Sequence, residues 1–132
     1  MTCVLDASAL LAYLRGESGA QTVIAALGSG AAISSVNLSE TLTKLEEVGV
    51  RADDAHSQLV SRGILGSALH VEPFTDEDAI AAAQLRIPTR AAGLSMGDRA
   101  CLALATRLGV PVLTTDRAWL KPSLGLTVTL IR

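Results

Sequence analysis

The chain has little with which to cross-link, stack or anchor itself. It contains two cysteines, Cys3 and Cys101, in separate apolar segments without a Cys-x-x-Cys or Cys/His spacing. That excludes a disulfide framework or zinc ribbon as the organising device, and both read as buried thiols of a reducing compartment. The aromatics are one tyrosine, one phenylalanine and one tryptophan (Tyr13, Phe74, Trp119), too few for a base-stacking surface of the RRM or OB type. Apolar runs are short: Val23 to Leu27 is cut by Gly28-Ser29-Gly30, and nothing approaches the roughly 20 residues of a bilayer span. No basic segment opens the chain, where Met1-Thr2-Cys3-Val4-Leu5 meets Asp6, so no signal peptide and a cytoplasmic location are expected. Eleven basic against 13 acidic residues give a net charge of −2, so no overall positive field draws in a nucleic acid.

What is there suffices for a folded core. The 132 residues are 49% hydrophobic and 18% charged, with mean hydropathy +0.41, which fits one domain spanning 1–132 and excludes intrinsic disorder. Strand-like and helix-like patterns alternate along it. Thr2 to Leu5 reads as a buried strand ending at Asp6, and Ala9, Leu10 and Tyr13 as a short helix closed by Gly16. Gln21 to Leu27 is helical in composition, and Ala31 to Ser34 is a second strand. Leu38, Leu42, Leu45 and Val48 keep helical spacing up to Gly49, and a further helix runs from Asp53 to about Leu65, making a helical hairpin with the first. Ala68 to Glu72 is a third strand, and Thr75 opens a helix that Pro88 stops. After a polar loop with Gly93 and Gly97, residues 98 to 108 form a helix capped by Gly109. Val112 to Thr114 is a strand, Asp116 to Trp119 a turn or short helix, and Thr127 to Ile131 a terminal strand. The expected fold class is α/β, a mostly parallel central sheet covered by helices on both faces.

In an open parallel sheet, ligands gather at the carboxyl ends of strands. Asp6 and Asp116 follow strand runs directly, and Glu40 and Asp98 lie in the first turns of helices that can face the same crevice. Each has a structural alternative: Asn37-x-x-Glu40 and Ser95-x-x-Asp98 match capping boxes, as does Thr75-x-x-Asp78, and Asp6 or Asp116 can cap the following helix. Asp53-Asp54 and Glu46-Glu47 read as solvated helix faces or favourable charges at helix starts. If Asp6, Glu40, Asp98 and Asp116 converge, their repulsion calls for a cation, and carboxylates with water are the oxygen ligands that Mg²⁺ or Mn²⁺ prefers. Such a centre facing a phosphodiester supports metal-dependent hydrolysis. Arg15, Arg99 and Arg117 lie near these acids in sequence and are candidate phosphate contacts, with an ordinary surface role as the default. His56 and His70 neighbour no candidate acid and read as structural.

Four segments carry a family likeness: Val4-Leu5-Asp6-Ala7-Ser8-Ala9-Leu10-Leu11-Ala12, Asn37-Leu38-Ser39-Glu40, Leu94-Ser95-Met96-Gly97-Asp98-Arg99-Ala100-Cys101-Leu102-Ala103-Leu104-Ala105, and Leu113-Thr114-Thr115-Asp116-Arg117-Ala118-Trp119. Their order and the acids within them resemble a PIN domain of the VapC toxin type. The resemblance implies a three-layer α/β/α fold and a Mg²⁺- or Mn²⁺-dependent endoribonuclease, the toxin of a type II toxin–antitoxin module. It implies a metal-activated water held by the acidic quartet, with Asp6 and Asp98 as the firmest ligands and Glu40 and Asp116 ligating directly or through water. Ser8 and Thr114 fall where the family often has small hydroxyl residues, holding a carboxylate or a metal-bound water, with capping of the next turn as the alternative. The implied partners are an RNA substrate and a cognate antitoxin, whose basic side chain could block the acidic pocket. The helices Leu38 to Val48 and Leu59 to Leu65 offer apolar surface for a homodimer or an antitoxin groove, or for ordinary core packing. The alternative function is a non-catalytic PIN-like module that binds RNA or protein. A receiver domain would need an acidic pair ahead of its phospho-acceptor, and a haloacid-dehalogenase-type phosphatase would need Asp-x-Asp where Asp6-Ala7-Ser8 stands.

Overall fold

Strand β1 (Cys3–Leu5) is apolar at every position and buried on both faces, the pattern of a central parallel strand. In the computed structural model, which describes residues 1–132, β1 lies between β2 (Ala31–Ser34) and β4 (Val112–Thr114). Outside them are β3 (Leu69–Glu72) and β5 (Val128–Leu130), giving a five-stranded sheet of order β3-β2-β1-β4-β5 in which every pairing is parallel. The chain first builds outward from β1 to β2 and β3, then crosses to the other side for β4 and β5. The reversal falls beside β1, where open α/β sheets form their ligand crevice.

Alternation along the strands divides the core between the two faces of the sheet. Leu5, Ile33 and Leu113 pack with Leu10, Val23 and Leu59, which belong to α1 (Ala7–Arg15), α2 (Ala20–Ser29) and α4 (Ala52–Ser61). Val4, Ala32 and Val112 pack on the other face with Cys101, Leu104 and Trp119, supplied by α7 (Met96–Leu108) and a 3₁₀ turn (Arg117–Leu120). Helix α3 (Ser35–Glu47) follows β2 directly and reaches both α1 and α7, and α5 (Asp76–Gln84) packs on α7. This is the three-layer α/β/α architecture expected from the sequence.

Several boundaries differ from the sequence reading for local reasons. Helix α3 begins at Ser35 because the Ser34 hydroxyl accepts the Val36 N–H, so Asn37 lies inside the first turn and forms no capping box with Glu40. Helix α7 begins at Met96, capped by Ser95, so Gly97 is helical rather than part of the preceding loop. Pro88 does not end the helical stretch. It sits in a one-turn helix α6 (Arg86–Thr89), where an early position leaves its missing N–H without consequence. Helix α4 ends at Ser61 instead of near Leu65.

Candidate active site

The C-terminal ends of β1 and β4 adjoin in register, Leu5 beside Leu113, and the Asp6 N–H donates to the Leu113 carbonyl at 3.2 Å. Asp6 is therefore fixed at the sheet edge before its side chain makes any contact. Its carboxylate is buried, 5% exposed, and accepts the Ala9 N–H at 2.8 Å, the Ser8 hydroxyl at 2.7 Å and the Thr114 hydroxyl at 2.6 Å. Both hydroxyls are in turn oriented by the chain after β4, since Ser8 Oγ accepts the Thr115 N–H at 3.0 Å and Thr114 Oγ1 accepts that of Asp116 at 3.1 Å. Ser8 and Thr114 thus both donate to the Asp6 carboxylate, and Thr114 also closes the local turn by accepting the Asp116 N–H.

Asp98 occupies the third position of α7 and completes a capping box, its Oδ2 accepting the Ser95 N–H at 2.8 Å while the Ser95 hydroxyl accepts the Asp98 N–H at 3.2 Å. Glu40 reaches in from α3, where Asn37 Nδ2 donates to its Oε1 at 2.8 Å and to the Gly97 carbonyl at 2.9 Å. A Cβ at position 97 would collide with the Glu40 carboxylate, so the glycine makes the room in which that carboxylate lies against α7. Asp116 is exposed and caps the 3₁₀ turn, Oδ1 accepting the Ala118 N–H at 2.9 Å. All four acids, with Ser8 and Thr115, line one cavity of about 490 Å³ at the crevice beside β1. The structure brings together the four residues singled out from the sequence. It also adds Lys44, one turn beyond Glu40 on α3, the cavity's one basic lining residue.

Burial, with a neighbouring charge behind it, raises the protonation of Asp6 and Asp98. Burial pushes Asp6 up to about 6 from an ordinary 3.8, against the opposing pull of its hydroxyl and N–H donors, and the Asp98 charge adds to the rise. Burial likewise raises Asp98, with the charge of Asp116 adding, although the Ser95 bonds oppose it. Beneath the cavity the Cys101 thiol is pushed well above its usual value by complete burial, reinforced by Asp6, Asp98 and Glu40. It is an inert core thiol, as is the buried Cys3.

The donor set suits a hard divalent cation. Every carboxylate spends oxygen lone pairs on the protein but keeps at least one unengaged: Asp98 Oδ1, Glu40 Oε2 and Asp116 Oδ2 accept no protein donor, and Asp6 Oδ2 accepts one. Capping and ligation are therefore not rival roles for these side chains. No three His, Cys, Asp or Glu side chains form a ready-made cage. Mg²⁺ does not demand one, since it retains several waters and takes one or two carboxylates together with substrate phosphate.

The other sequence candidates lie elsewhere. Arg99 turns from the cavity and donates to the Ala82 carbonyl on α5 at 2.8 Å. Arg15 is exposed in the last turn of α1, at the opposite end of the helix from Asp6, and Arg117 is exposed on the 3₁₀ turn. His56 and His70 are exposed and line no part of the cavity. Asp78, which local pattern could not separate from Asp98, faces Arg107 of α7. Lys44 went unnoticed because an isolated lysine beside Glu47 reads as helix surface; its signal was the four-residue spacing from Glu40.

This chain belongs to the PIN domain family, whose model matches residues 3–123. Among solved structures it is similar to the DNA-bound VapBC of Salmonella typhimurium, with TM-score 0.74 and 20% identity over 100% of this chain and 99% of that one. It is also similar to a toxin–antitoxin complex from Klebsiella pneumoniae (TM-score 0.74, 15% identity, 99% and 98% covered). A third likeness is to VapC20 of Mycobacterium tuberculosis, described as a sarcin-ricin loop cleaving toxin (TM-score 0.71, 17% identity, 92% and 97% covered). At these identities the likeness is one of fold. No curated protein sequence matches the chain significantly.

Proposed function

We propose that the chain is a Mg²⁺- or Mn²⁺-dependent endoribonuclease, the VapC-type toxin of a type II toxin–antitoxin module. The observation that carries this reading is the convergence of Asp6, Glu40, Asp98 and Asp116 from four separate elements on one cavity, each with oxygen lone pairs to spare. Four structural caps would have no reason to meet. Asp6 and Asp98 would be the principal ligands, and Glu40 and the more exposed Asp116 would ligate directly or through water. When bound, the cation would offset the carboxylate repulsion, polarise a phosphoryl oxygen and favour ionisation of water.

The protein's own part is positional. Ser8 and Thr114 hold Asp6 at the sheet edge, Asn37 and the space at Gly97 hold Glu40, and the capping box holds Asp98. Asp116, the exposed member, would orient water entering from solvent. The reaction is hydrolysis: water adds to phosphorus, the bond to the 3′ oxygen breaks, and the products carry a 5′-phosphate and a 3′-hydroxyl. No 2′-hydroxyl attack is involved.

A protein antitoxin as partner is supported by the toxin–antitoxin complexes that share the fold. A homodimer in the cytoplasm completes the reading; no helix is long and apolar enough to cross a membrane. The test is cleavage of a mixed RNA pool by purified protein with Mn²⁺ or Mg²⁺, with EDTA, and with Asp98→Asn. Cuts that need the metal and vanish in the folded variant are expected, a loss of about a hundredfold or more. Retention of metal-dependent cutting by the variant would sink the assignment. Folded wild-type protein that neither cuts nor binds metal would favour the non-catalytic binding module.

A further inference from the structure

Lys44 is the one cation among the residues lining the acidic cavity, and it also borders a depression of the neighbouring surface. That depression, about 470 Å³ and lined by α3 alone, lies along the outer face of the helix over Val36, Ser39, Thr43 and Glu47, and shares both Glu40 and Lys44 with the acidic cavity. Glu40 and Lys44 therefore stand on the border between the two. Glu40 is turned inward to Asn37, while the Lys44 ammonium lies 3.7 Å from Glu47 Oε2 in a pair whose side chains are both 58% exposed. Such a pair is weak and easily exchanged for another anion.

We propose that Lys44 is a phosphate-binding residue that sets the path of the substrate, holding the backbone phosphate of a nucleotide beside the cleaved bond as the strand leaves the carboxylates along α3. This rests on the nuclease reading above and deepens it. A polyanion approaching four carboxylates needs a local cation besides any bound metal, because the net charge of −2 supplies no general attraction. Arg99 is tied to α5, and neither Arg15 nor Arg117 lines the acidic cavity or the depression beside it, so the duty falls to Lys44. The Ser39 and Thr43 hydroxyls lie on the same face of α3, although Thr43 is already bonded to the Ser39 carbonyl at 2.7 Å.

The experiment measures steady-state cleavage of a fluorescent oligoribonucleotide, one containing a site cut by the wild type in the mixed pool. Lys44→Ala, Lys44→Arg and Lys44→Glu are compared over a series of salt concentrations. Lys44→Ala is expected to raise KM about fivefold with a smaller change in kcat, and to make the slope of log(kcat/KM) against log[salt] shallower by about 0.7. Lys44→Arg should restore both, and Lys44→Glu should be worse than alanine. A structural role for an exposed helix lysine would move neither the salt slope nor its rescue by arginine. Cleavage by the wild type with KM and slope unchanged in Lys44→Ala overturns this inference alone. No metal-dependent cleavage by the wild type overturns the nuclease reading, and this inference with it.

Discussion

Asp6 stores an unfavourable charge in the folded protein. Its carboxyl keeps a proton up to about pH 6 in the fold and releases it near 3.8 when the chain unfolds, so the folded state binds more protons between those values. Stability of the metal-free protein therefore falls as pH rises through that window, by about 3 kcal/mol from this group alone. Asp6→Asn should flatten the dependence, leaving the part that Asp98 contributes, and melt higher than the wild type at pH 7.5, which thermal unfolding across pH 4 to 8 will show. Divalent metal should raise the melting temperature of the wild type above pH 6 and leave the variant nearly unmoved. Gly97 makes a complementary case. Alanine there is the better helix former by up to about 1 kcal/mol, yet its methyl group takes the space of the Glu40 carboxylate. Gly97→Ala should keep or gain stability while losing about tenfold to a hundredfold in cleavage rate, a separation that calorimetry and kinetics on one preparation will expose.

At the scale of elements, the acidic helix start Asp76-Glu77-Asp78 is a joint between helices. Asp78, 2% exposed, completes its own capping box with Thr75 and receives both Arg107 Nε at 2.8 Å and Nη2 at 3.1 Å, pinning α5 to α7. Burial works against the Asp78 charge, but Arg107 and the Thr75 bonds outweigh it and hold the carboxyl below its ordinary value. Arg107→Ala would leave that charge buried and unpaired, and should destabilise the protein by about 3 kcal/mol, more than Asp78→Asn, in denaturant titrations. The order of strands and helices, the acids at strand ends and the cap at Gly109 were all legible, because each rests on local pattern. What local pattern could not decide was which of two equivalent boxes, Thr75-Asp78 or Ser95-Asp98, serves a site, since the difference lies in what stands opposite: a guanidinium for one, three carboxylates for the other. The start of α3 was misplaced for a like reason, as Ser34 and Asn37 are both good caps and the strand before them settles the choice.

For the whole molecule, the sheet order explains why the four acids meet where they do. Placing β1 in the centre with β4 beside it joins an acid near one end of the chain to a hydroxyl 108 positions later, through Thr114 and Asp6. No local element could supply this cavity, and no shorter stretch than the run from β1 past β4 contains it. A growing polypeptide that has laid down β1, β2 and β3 holds Asp6 and Glu40 but neither Asp98 nor Asp116. The ribosome has to pass residue 116 before the cavity exists, so, on the nuclease reading proposed above, the half-made chain is unable to cut the RNA that surrounds it during its own synthesis.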